Sequence, residues 1–105
     1  MEIRRLDVDV SIYRNRIQVT DRTTGKFVDQ TAQHAFSSDG SLIANTRFLE
    51  DTIVRAIRQL LVGGFSLKDP IAHVVSTELP LSPSQKNIVA IALREAGMHE
   101  VVFDD

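Results

Sequence analysis

The stretch LDVDVSIYRNRIQV, Leu6 to Val19, decides how the rest of the chain is read. Leu6, Val8, Val10 and Ile12 alternate with Asp7, Asp9, Ser11 and Tyr13, the period of two expected of a strand with one buried face. Arg14-Asn15 suits a tight turn, because asparagine tolerates a positive φ. Ile17 and Val19 continue the alternation in a second strand. The chain therefore opens with an antiparallel hairpin that carries an aspartate, Asp9, in the middle of its first strand.

Beyond this hairpin, DRTTG (Asp21 to Gly25) reads as a second turn and KFVDQTAQHAF (Lys26 to Phe36) as a third, weaker strand. After the polar loop SSDGS (Ser37 to Ser41) the period changes. Leu49, Ile53, Ile57, Leu60 and Leu61 recur at helical spacing, with Glu50, Arg55, Arg58 and Gln59 between them. Asn45 or Thr46 can cap this helix, and Gly63-Gly64 can end it. IAHVVS (Ile71 to Ser76), after Pro70, is a compact apolar run suited to a strand buried within a sheet. Ser82, Pro83 and Gln85 then fit the N-cap, the first helical position and the capping-box partner of a second helix. Ile88, Val89, Ala92, Leu93 and Ala96 form its apolar stripe, Gly97 its stop, and HEVVF (His99 to Phe103) a last short strand.

The expected order is β-β-β-α-β-α-β. A meander followed by alternating helices and strands predicts an α/β fold with one mixed five-stranded sheet, extended by parallel strands through crossovers. The ribonuclease H-like architecture, shared by actin-type ATPases, has this order. At 105 residues the chain is read as one such domain, residues 1–105.

Composition narrows the function classes. Hydrophobic content of 43% and charged content of 25% are those of an ordinary globular protein. A net charge of −2 gives no global bias toward nucleic acid or anionic membrane. With no cysteine, disulfides and thiolate metal sites are excluded. The opening MEIRRLDVDV lacks the apolar core of a secretory signal, and no run reaches membrane-spanning length. The expectation is a cytoplasmic protein without membrane insertion.

The second half carries a resemblance. IAHVVSTELPLSPSQKNIVAIALREAGMHEVVF (residues 71–103) resembles the strand, loop, helix and strand entry of bacterial actin-like rod-shape proteins, the MreB family, most closely at REAGMHEVVF. DGSLIANTRFLEDTIVRAI (residues 39–57) looks like an upstream segment of that family and the helix after it. The opening hairpin falls on the family's first phosphate hairpin, with Asp9 on its aspartate. The resemblance implies the first subdomain of an actin-like protomer, and a link to the bacterial cell-shape cytoskeleton.

The departures bear on chemistry. Where the family's hairpin has a glycine and then a hydroxyl residue, this chain has Ser11 and Ile12. A glycine lets backbone N–H groups approach phosphate oxygens, and a Cβ beside a bulky neighbour obstructs that approach. The family's Pro-Ser-Gly loop becomes Glu78-Leu79-Pro80, and its second phosphate hairpin and adenosine-binding glycines lie beyond the matched segment. The expectation is a non-catalytic interaction or assembly module with no cofactor and no nucleotide, acting on a protein partner or on itself.

Two other readings compete. Asp9 could still take phosphate in a degenerate nucleotide-binding module. Asp9 with Glu50 could instead serve a ribonuclease H-like, metal-dependent nuclease, although the fourth strand offers His73 and Ser76 where a third carboxylate is needed. His34, His73 and His99 are too scattered for a local metal motif, so no metal site is expected. Arg4, Arg5, Arg14, Arg16 and Arg22, with Tyr13, could form a basic face. Nearby acids offset them, and no aromatic row supports base stacking, so nucleic acid is not expected. Tyr13, Arg14, Arg16 and His73 are the candidate partner contacts. Because the family continues into helices that cover this subdomain, two expectations arise for the sheet's second face. It is apolar and covered by association, or it is polar and needs no cover.

Overall fold

The structure is a computed structural model that describes residues 6–61 and 69–104. It is an α/β domain built from β1 (Asp7–Tyr13), β2 (Arg16–Asp21), β3 (Phe27–Thr31), α1 (Thr46–Leu60), β4 (Ile71–Thr77), α2 (Pro83–Glu95) and β5 (Glu100–Phe103). Arg4, Arg5 and the expected helix stop at Gly63-Gly64 lie outside the described residues.

The strands form one sheet in the order β3-β2-β1-β4-β5. β1 pairs antiparallel with β2, and β2 with β3; β1 pairs parallel with β4, and β4 with β5. The β1–β4 register shifts between Val10 and Ser11, where Val75 is the extra residue. Asn15 turns the hairpin at φ 55°, the left-handed conformation expected of it.

Alternation fixes the two faces. Val8, Val10, Ile12, Ile17, Val19, Ala72 and Val74 are buried and share one core with Leu49, Ile53, Ala56, Ile57, Val89, Ala92 and Leu93 of the helices. α1 packs on β2, β3 and α2, and α2 reaches β5. Both helices therefore lie on the same side of the sheet. The other face presents Asp7, Asp9, Ser11 and Tyr13 of β1, Arg16, Gln18 and Thr20 of β2, and His73 of β4, all half-buried. Of the two expectations for this face, the polar one describes it. Phe27, at 60% exposure on β3, is its one largely exposed apolar side chain among the described residues.

Asn45 caps α1, accepting from the Phe48 amide at 2.9 Å. Thr52, buried in the same helix, is satisfied by donating to the Phe48 carbonyl at 2.8 Å. Ser82 and Gln85 form the reciprocal capping box of α2, and Gly97 follows that helix at φ 113°.

The third strand is shorter than the sequence predicts, ending at Thr31 rather than Phe36. Its continuation leaves the sheet and carries Phe36 into the core, where it is fully buried. The Phe36 carbonyl then accepts from Ala44 at 2.7 Å and Asn45 at 3.0 Å, and Ser37 binds Asn15. Burial of one large aromatic and satisfaction of its backbone outweigh further pairing along the edge.

Candidate functional site

Asp9 lies on the helix-free face of β1, opposite Thr20 of β2 and His73 of β4. Arg22, on the turn after β2, donates from Nε to the Asp9 carboxylate, and from Nη2 to Asp104 Oδ2 at 3.2 Å. The hydrogen bond that Arg22 donates to Asp9 is the largest influence on the guanidinium and raises its pKa. Desolvation opposes this, and the charges of Asp9 and Asp104 add to it. His73 stands between two more carboxylate contacts, with Nε2 3.6 Å from Asp7 Oδ1 and Nδ1 3.5 Å from Asp104 Oδ2. The result is a chain of side-chain contacts, Asp7, His73, Asp104, Arg22 and Asp9, that links β1, β4 and the end of β5.

The hairpin tip has its own internal partners. The Arg14 amide donates to Glu78 Oε1 at 3.3 Å, and Arg14 Nε lies 3.2 Å from Glu78 Oε2. Its Nη1 and Nη2 donate to the carbonyls of Ser38 at 2.6 Å and Asp39 at 3.4 Å. A backbone N–H beside a guanidinium is a general anion site. Here the anion is the protein's own carboxylate, supplied by the loop after β4.

The other expected contacts are also engaged within the chain. Arg16 donates to Asp29 Oδ2 at 2.8 Å and lies 4.2 Å from the centroid of the Tyr13 ring. Arg14, Arg16 and Arg22 each meet a carboxylate, so the described part of the expected basic face is charge-compensated.

Glu50 is not brought to Asp9. It sits on the outer side of α1 beside Arg47, Asp51, Val54 and Arg58, whereas Asp9 is on the sheet face turned away from both helices. The sheet separates the two carboxylates that a two-metal nuclease needs side by side. Among the described residues, no three histidine, aspartate or glutamate side chains come together to hold a metal ion. Among them, too, no helix is long and apolar enough to cross a membrane.

Sequence reasoning placed Asp9, Arg14, Arg16 and His73 on or beside the hairpin sheet but missed Arg22, Asp104 and Glu78 as their partners. Arg22 and Asp104 are 82 positions apart, and Arg14 and Glu78 are 64 apart. No periodicity or motif joins residues at such separations. Only the β3-β2-β1-β4-β5 order does. A scan against protein-family models finds no match for the chain, and a search of curated proteins finds none either.

Proposed function

We propose that this chain is a non-catalytic interaction module on a ribonuclease H-like scaffold, of the kind found as the first subdomain of MreB-type actins. The scaffold reading is supported by the mixed sheet in the order β3-β2-β1-β4-β5, with an antiparallel meander on one side and two parallel strands on the other. The observation that carries the functional reading is Glu78, whose carboxylate takes both the Arg14 amide and its guanidinium at the hairpin tip. An internal carboxylate there competes with any phosphate. Asp9 is likewise committed to Arg22 rather than open to a metal. The hairpin then serves as structure, and the resemblance to rod-shape proteins points to a role in a bacterial cell-shape assembly.

The contacts of such a module fall on the helix-free sheet face, where Tyr13, Arg16 and Phe27 are accessible. A partner or second copy meets charges and hydroxyls there, so its binding weakens with added salt.

Titration with magnesium-ATP, followed by amide shifts, tests the reading. The expected result is no saturable shift over residues 9–16 and no phosphate release. Saturable shifts there would replace it with nucleotide binding, and paired manganese broadening at Asp9 and Glu50 would favour a nuclease. Sedimentation at low and high salt tests self-association separately.

A further inference from the structure

The side of the molecule opposite the polar sheet face carries a cavity that the hairpin does not use. About 290 Å³ of space lies between the segment after β3 and the start of α1, lined by Gln33, His34, Arg47, Phe48, Asp51 and Arg55. The rings of His34 and Phe48 pack against each other there, with centroids 5.0 Å apart and planes tilted by 33°. The cavity therefore combines a packed aromatic pair with two guanidinium groups and a side-chain amide.

Its charge is unbalanced toward the positive. Asp51, the one acid in the lining, is already bonded to Arg55 Nε at 2.9 Å. Arg47 forms no ion pair among the described residues. Glu50, Asp51 and Arg58 lie beside Arg47 in the adjoining groove. Arg47 is also the second residue of α1, whose first turn contains no acid. A cation at that end of a helix opposes the helix dipole, and an anion bound beside it would relieve both unfavourable features.

We propose that this cavity binds the anionic group of a small ligand, a phosphate monoester or a carboxylate, whose flat ring rests against His34 and Phe48. Arg47 and Arg55 supply the forked donors that match either oxyanion. The volume falls at the lower edge of ordinary ligand pockets, ~300–1,000 Å³, which suits one ring with its anionic substituent. The site is independent of the hairpin and of the sheet face.

Phenyl phosphate, benzoate and inorganic phosphate, titrated separately into the full chain at millimolar concentration, test the proposal through amide shifts. The expected result is saturable shifts over residues 33–34 and 47–55, with phenyl phosphate or benzoate bound more tightly than inorganic phosphate. Which of the two binds better distinguishes phosphate from carboxylate. Arg47→Gln, an exposed position, weakens binding about fivefold or more while the rest of the spectrum keeps its dispersion. Absence of saturable shifts at those amides, or equal binding by Arg47→Gln, overturns the proposal. Inorganic phosphate binding as tightly as phenyl phosphate overturns the role given to the rings.

Discussion

The guanidinium of Arg22 clasps the carboxylate of Asp9 across the helix-free face of the sheet, and the same guanidinium reaches Asp104 at the end of β5. The aspartate that gives the hairpin its look of an active site is thereby part of a structural clamp. The turn after β2 and the end of β5 are tied to the central strand through one side chain.

Arg22→Ala should therefore loosen β5 in particular. Amide exchange at Val101 to Phe103 is expected to speed up more than exchange in β1 or β2, and the difference should shrink in high salt. Equal protection of β5 in both proteins would show that the clamp adds nothing. The pH behaviour follows from the sign of the shift. A raised arginine pKa contributes stability that is complete at neutral pH and lost only as pH rises through its already strongly alkaline value. Stability measured from neutral to mildly alkaline pH should show no step from Arg22.

Glu78→Gln keeps the shape of the side chain but removes the charge opposite Arg14. Both side chains are about 40% exposed, so the loss in stability is expected to stay below about 1 kcal/mol. Exchange of the Arg14 amide should nevertheless accelerate. If Glu78→Gln also gains saturable shifts with inorganic phosphate at residues 13–16, the carboxylate is what keeps anions from the hairpin tip.

Ile53 is fully buried in the core, where α1 faces the sheet. Ile53→Ala is expected to cost about 2–5 kcal/mol in urea unfolding, combining lost transfer energy with a residual cavity. A cost below about 1 kcal/mol would mean that α1 is not packed as described.

Ser82→Ala removes one half of the capping box of α2. The expected loss is about 0.5–2 kcal/mol, with faster exchange at the Gln85 amide. Ser82→Asp should recover most of it, because an aspartate caps equally well and favours the positive end of the helix dipole.

How much was legible in the sequence differs by element. The hairpin was readable because alternation from Leu6 to Tyr13 and an asparagine at the turn are local signals. The same holds for α2, where Ser82, Pro83 and Gln85 lie within one turn of each other. The end of β3 was not readable. Lys26 to Phe36 reads as one weaker strand, and the departure at Thr31 goes with burial of Phe36 in a core assembled from distant parts of the chain. The site divides in the same way. Asp9 stood out by itself, but whether it is free or bound depended on Arg22 and Asp104.

The sequence by itself determined the local geometry of this protein: where the chain turns, which residues of each strand face inward, and where the helices begin. Those choices follow from backbone preference and hydrophobic period, which act over a few residues. The tertiary structure alone decided which charges meet. Placing β1 between β2 and β4 brought Arg22 to Asp9 and Asp104, and Glu78 to Arg14. Packing both helices on one face left Glu50 across the sheet from Asp9. Electrostatic contacts act over a few ångströms of space, whatever the distance along the chain, so the partners of Asp9 could be known only once the sheet was assembled.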